Sequence, residues 1–297
     1  MLSGPTLVAV VIFTILLMLG LGTTLTTADF RRVVVLPRGV GIGLASQYGW
    51  MPLLGFAAAV STGLPDELAI GLMLMTCASG GNASNMFSWF ARADVALSVT
   101  MTAISSTLSV VAMPLLLSLY TGRFTDADLQ MPYREIVGTL IGMLVPLGLG
   151  MLLRHRRPDL AIRMARTGKW AGAVVLAIVL WVGAADIVET VRSMSGQTLG
   201  SCLAVASAGM LLGFLAARVG GLGVAQQRAV AFETGIQNTP VVIAIVLLSF
   251  PEERQMAILQ MPLLYATFVQ GVALVVMLMM LGYDRVRTSE GEDQPKR

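Results

Sequence analysis

Charge is what this 297-residue chain has least of: Asp, Glu, Lys and Arg make up 12% of it, against roughly 25% in a soluble globular protein. Histidine occurs once, as His155 in the basic stretch RHRRPD. A histidine-based metal site or catalytic triad has no partners here. No GxSxG or GxGD pattern is present and no histidine lies in an apolar run, which removes the usual grounds for an intramembrane enzyme. Cysteine occurs twice, and Cys77 and Cys202 both fall inside apolar stretches. That placement excludes a disulfide framework and leaves small packing residues. The net charge of +3 does not point to nucleic acid, because the basic residues are confined to loops.

What the chain has instead is length without charge. Residues 1–28, 39–65, 68–91, 95–122, 136–153, 170–185, 193–217, 234–251 and 255–283 carry no charged side chain. A spanning helix needs roughly 20 mostly apolar residues, and inside a bilayer each segment must satisfy its own backbone groups. The runs lack the two-residue alternation of barrel strands. The sequence therefore predicts an all-α polytopic membrane protein with nine transmembrane helices. They fall at about 4–27, 38–61, 66–90, 94–121, 135–154, 168–190, 197–219, 225–249 and 255–282. No basic residue precedes the first run, so it is read as a mature span and not as a signal peptide. Residues 284–297 read as a polar, disordered tail.

Orientation follows from the loops. With the N-terminus outside, 16 of the 20 Lys and Arg residues fall on the inner side, including Arg31, Arg92, Arg154, Arg218, Arg228 and Arg285. The outside keeps Arg123, Arg134, Arg192 and Arg254. Such a bias sets topology and predicts a cytoplasmic C-terminus. GTLIG at 138–142 and GMLLG at 209–213 read as sites of close helix contact.

Two spans are interrupted by polar and helix-breaking residues, CASGGNASN at 77–85 and ETGIQNTP at 233–240. In the topology above they run in opposite directions, the signature of an inverted repeat. A five-helix unit would give one whole copy and one copy lacking its first helix, four plus five. Pro240 cannot continue the backbone ladder, and broken backbone at membrane depth is tolerated only where it lines a cavity or binds something. The amino end of each second half-helix suits an anion, while the carboxyl end of each first half suits a cation. Glu233 costs about 2.5–3.5 kcal/mol on insertion scales if charged at mid-span. The spans offer almost no basic residue at its depth, so it is either protonated or paired with a bound cation. Gln237, one helical turn on, adds an oxygen on the same side.

The stretches GLGTTLTTADFRR, GGNASNMFSWFARADVALSVTMTAISSTLS and FETGIQNTP resemble the bile acid:sodium symporter family, and the resemblance covers nearly the whole chain. It implies a single transporter domain over 1–283, with panel helices near 4–27, 135–154 and 168–190. The core helices would be those near 38–61, 66–90, 94–121, 197–219, 225–249 and 255–282. It also implies two Na⁺ ions behind the helix crossing. One would be held by Ser84, Asn85, Ser98, Thr102 and Glu233, the other by Glu233, Gln237, the carbonyls of Thr234 and Ile236, and Gln47. Ser98 and Thr102, four apart, share a helix face. The substrate, an organic anion, would meet Asn82, Asn238 and Thr239. The family often has Thr where this chain has Asn82, and a small residue where it has Pro240; both lie on the substrate side.

Bacterial-type members take small carboxylates, and the short loops fit that group, implying a bacterial inner-membrane carrier. The bland reading of Ser84, Asn85, Ser98 and Thr102 is helix-packing glue. The runner-up function is a proton-coupled or uncoupled effluxer of the same superfamily, with Glu233 carrying protons.

Overall fold

The computed structural model describes residues 4–26, 31, 37–125, 129–165, 167 and 194–292. These residues form helices and connecting turns, with no β-strand among them. The helices are α1 (Gly4–Thr24), α2 (Pro37–Ala45), α3 (Met51–Thr62), α4 (Asp66–Thr76), α5 (Asn82–Phe90), α6 (Val95–Tyr120), α7 (Tyr133–Arg156), α8 (Gly196–Val219), α9 (Val224–Gly235), α10 (Thr239–Ser249) and α11 (Glu252–Glu292). A π-helical turn, Ser46–Trp50, joins α2 to α3 without a gap. Helices over Val95–Arg123, Tyr133–Arg156, Gly196–Val219 and Glu252–Asp284 are long and apolar enough to cross a membrane. The span expected at 168–190 lies outside the described residues.

Local chemistry sets the helix ends. Asp66 and Glu67 occupy the first turn of α4 and Arg154–Arg156 the last turn of α7, each complementing the helix dipole. Asp94 caps α6 by accepting the Leu97 N–H at 3.0 Å, and Ser195 caps α8 by accepting that of Thr198 at 3.2 Å. Helix α3 stops at Gly63, whose φ of 61° is the left-handed cap that glycine adopts without steric cost. Between α5 and α6 the same job falls to Arg92 at φ 54°, with Ala93 N–H donating to Ser88 O at 2.8 Å.

Two sequence expectations change here. α11 continues through Glu292, so the polar segment from 284 is helical for most of its length. Asp284 is held by an ion pair to Arg228, which gives the last turns an anchor that composition did not show. Arg228, placed by charge counting in an inner loop, sits inside α9 with 4% of its surface exposed. The close-packing glycines also differ. Cβ atoms on Gly138 or Gly142 would meet nothing. Instead α1 packs along α7 through Gly22 and Gly150, where added Cβ atoms would strike Leu147 O and Leu19 O respectively. GMLLG does form a close contact, since a Cβ on Gly213 would reach Thr234 Oγ1 at 2.7 Å and one on Gly209 would meet Met51 Sδ.

The main core gathers apolar side chains of α3, α4, α8, α10 and α11, among them Met51, Met73, Val205, Ile245, Leu264 and Tyr265. Cys77 and Cys202 are buried and free. A smaller cluster of Leu21, Leu25, Ala103 and Leu147 joins α1 and α7 to α6. Helices α4–α5 and α9–α10 thus form two interrupted rods gripped between α6 and α11.

Candidate functional site

The two rods cross at their breaks. Helix α4 ends at Thr76 and α5 begins at Asn82; α9 ends at Gly235 and α10 begins at Thr239. The intervening strands of backbone pair as one antiparallel bridge, Gly80 with Gln237. The pairing is reciprocal: Gly81 N–H donates to Ile236 O at 2.8 Å, and Asn238 N–H donates to Ser79 O at 2.9 Å. Each break therefore satisfies polar backbone of the other, as buried amides require. Glycine is needed on the first strand. A Cβ on Gly80 would collide with Glu233 Oε1 and one on Gly81 with Gln237 O.

Neighbouring helices hold the crossing. The Gly80 N–H donates to Ser105 Oγ of α6 at 3.3 Å, and Tyr48 OH in the π turn donates to Ser105 O at 2.5 Å. The carboxyl end of α9 is met by Tyr265 OH of α11, which donates to Gly235 O at 2.6 Å. Ser105, Tyr48 and Tyr265 escaped the sequence reading. Ser105 carried a weak signal, because Ser98, Thr102, Ser105 and Ser109 form a polar stripe at helical spacing on α6.

Glu233 lies on the last turn of α9 with no exposed surface. Three hydroxyls from two other helices surround its carboxylate. Ser84 Oγ of α5 lies 2.5 Å from Oε2, Ser98 Oγ of α6 lies 3.1 Å from Oε2, and Thr102 Oγ1 lies 2.6 Å from Oε1. Asn85 joins the group through Nδ2, 3.4 Å from Thr102 Oγ1, while its Oδ1 is buried without a donor. No Lys or Arg pairs with Glu233 among the described residues.

A second polar group sits beside the bridge. The π turn directs Gln47 inward, where Nε2 donates to Gln237 Oε1 at 2.7 Å and to Ala78 O at 2.8 Å. Helices place such π turns at functional sites more often than elsewhere. Gln237 Nε2 donates to Thr234 O at 2.9 Å. Because α9 has already ended, the extended crossing and not a helical turn brings Gln237 here. Gln47 Oε1 is a buried acceptor without a donor, and the Thr234 hydroxyl, on the α8 side, is buried without a partner. The Ile236 carbonyl is used in the bridge. Buried oxygens left without donors call for a water or a cation, and the donor set of carboxylate, amide, hydroxyl and carbonyl oxygens suits a hard cation and not a soft one.

On the other side of the crossing, Asn82 begins α5 and Asn238 precedes α10, with Thr239 as the first residue of α10. Asn82 Oδ1 and Asn238 Nδ2 are buried without partners. Asn238 faces a narrow cavity between the crossing, α6, α1 and α7, lined also by Ser79, Ser106, Ser109, Met18 and Met143. The structure therefore splits the predicted residues into three groups: Ser84, Asn85, Ser98 and Thr102 around Glu233; Gln47 with Gln237 and Thr234; and Asn82, Asn238 and Thr239 at the half-helix amino ends. No hydrogen bond links Glu233 to Gln47 or Gln237.

Apolar spanning helices with paired breaks around a buried acid define a membrane transport protein and not an enzyme. Comparison with known proteins narrows the class. Residues 11–192 match the model of the Sodium Bile acid symporter family, and the chain belongs to that family. It is 32% identical over 286 residues to the ileal sodium/bile acid cotransporter of Oryctolagus cuniculus, covering 94% of this chain and 81% of that protein. It is 30% identical over 275 residues to the hepatic sodium/bile acid cotransporter of Homo sapiens, covering 92% and 79%. Against sodium/bile acid cotransporter 4 of Mus musculus the figures are 31% over 283 residues, 93% and 64%.

Proposed function

We propose that the protein is a sodium-coupled symporter that carries an organic anion across a bacterial inner membrane by alternating access. One observation carries the reading. A fully buried carboxylate lies where two interrupted helices cross, ringed by oxygen donors and without a basic partner among the described residues. As cargo, one Na⁺ binds among Ser84, Asn85, Ser98, Thr102 and Glu233, neutralising the carboxylate and tying α5, α6 and α9 together. A second binds at Glu233, Gln47, Gln237 and the carbonyls of Thr234 and Ile236. With both bound, the crossing is rigid and the amino ends of α5 and α10 present Asn82, Asn238 and Thr239 to an anionic group.

The reading extends to the architecture. Nine spans form an inverted repeat of four plus five, with the N-terminus outside. The reciprocal pairing of Gly81 with Ile236 and Asn238 with Ser79 is what a two-fold relation between the repeats predicts. Helices α1 and α7 belong to a panel, and the other described helices to a core that moves against it. The cavity beside Asn238 lies between the two.

Thermal unfolding of the purified protein in NaCl against KCl, across pH, tests the coupling ion. Sodium-specific stabilisation that disappears in Glu233→Gln supports symport. Indifference to Na⁺ with a pH-dependent shift would replace it with the proton carrier. Repeating the assay with taurocholate and with pantoate tests the substrate class.

A further inference from the structure

Among the described residues only two buried side chains are charged, Glu233 and Arg228, and both are on α9. They are five positions apart, about 7.5 Å along the axis at 1.5 Å per residue. The cation site uses Glu233; Arg228 has no part in it. Its guanidinium divides its donors between the end of α5 and two residues of α11. Nη1 donates to Ala91 O, at the end of α5, at 2.9 Å, and to Asp284 Oδ2 of α11 at 2.9 Å. Nη2 donates to Asp284 Oδ1 at 2.5 Å and to Met280 O of α11 at 3.4 Å. Beside it, Asp94 N–H donates to Ala225 O at 2.9 Å, docking the α5–α6 turn on the start of α9.

We propose that Arg228, held by Asp284, is a positioning residue of the cation site: it fixes the far end of α5 against α9 and so sets the separation of Ser84 from Glu233. This rests on the sodium reading of that site. The argument is mechanical. Helix α5 has nine residues, too few to hold a direction by itself. Its break end is fixed by the Gly81–Ile236 bond, and Gly80 and Gly81 give that end freedom to pivot. The stacked Phe87–Phe232 ring contact, with centroids 5.8 Å apart, lies between pivot and clamp. The Ala91 carbonyl, beside the Asp94–Ala225 bond of the following turn, is therefore the second fixed point. Ligand sets of this kind lose affinity when members drift by about 0.5 Å.

A second ion pair serves as the control. Arg254 pairs with Glu67, joining α11 to the start of α4. It is more exposed, lies at the other end of α4–α5, and touches neither half-helix that carries the site.

The test is the sodium concentration that gives half of the maximal rise in Tm of the purified full chain, at constant ionic strength with KCl. Arg228→Gln raises that concentration roughly tenfold, a 1.4 kcal/mol loss. Arg228→Lys and Asp284→Asn, which each keep part of the clamp, raise it about threefold, and Glu67→Gln leaves it within about twofold. Asp284→Asn keeps the test open should Arg228→Gln fail to fold. A purely structural clamp would lower Tm in KCl and leave the half-saturating sodium concentration unmoved in all three clamp variants, which overturns the proposal. A Glu67→Gln shift as large as that of Arg228→Gln also overturns it. A wild-type protein whose Tm ignores Na⁺ removes the sodium reading itself, and this inference with it.

Discussion

Gly80→Ala adds one methyl group at the most constrained point of the crossing. Gly80 does not have positive φ, so alanine meets no backbone penalty and the whole effect is contact. The new Cβ would overlap Glu233 Oε1 and lie 3.2 Å from Cγ of the same side chain. Forcing a methyl into a filled site costs about 1–3 kcal/mol. If the carboxylate yields instead, it gives up the 2.6 Å bond from Thr102, and a hydrogen bond to a charged group contributes about 1.5–3 kcal/mol. Either route disturbs the oxygen set, so a loss of roughly 2–4 kcal/mol in sodium binding follows, which is about 30-fold or more. The assay is the sodium dependence of Tm for the variant beside Gly271→Ala, whose Cβ would meet nothing. The control should match or exceed wild type, since alanine favours a helix interior by up to about 1 kcal/mol over glycine. A Gly80→Ala protein that binds sodium within threefold of wild type, with Tm preserved, would refute the packing argument.

Ser105→Ala removes the acceptor for the Gly80 N–H, and an orphaned buried donor costs about 1–3 kcal/mol; Tm should fall both with and without sodium. Tyr265→Phe frees the Gly235 carbonyl at a net cost of about 0.5–1.5 kcal/mol, read as a smaller drop in Tm. Gly150→Leu should separate α1 from α7, because even a Cβ there strikes Leu19 O; loss of folded protein after detergent extraction measures it.

Glu233 was legible because a carboxylate inside a charge-free run raises a question that few side chains can answer; Ser84, Ser98 and Thr102 came from the family resemblance, and their hydroxyls do surround that carboxylate. The all-helical, membrane-spanning class was legible for a related reason, since a bilayer imposes length and polarity on every span. Arg228 was not legible as an interior residue. Counting basic residues for topology assigns each to its nearest loop, and nothing local distinguishes an arginine that turns inward to a distant aspartate. The glycine pair of α1 and α7 was missed because spacing alone made GTLIG look like the contact, while the crossing of the helices selects Gly22 and Gly150. Ser105 and Tyr265 act through backbone groups freed by the breaks, and the identity of those groups appears only once the chain has crossed itself. Gln237 reached its partner by a different route from the one periodicity implied, because α9 ends at Gly235.

Equilibrium binding of radioactive sodium to the purified protein bears most directly on the role of Glu233. Wild type should bind the ion and be displaced by unlabelled Na⁺ but not by K⁺, and Glu233→Gln, which keeps the shape and loses the charge, should bind almost none. Undiminished binding by that variant would contradict the claim that this carboxylate is the charge that sodium neutralises.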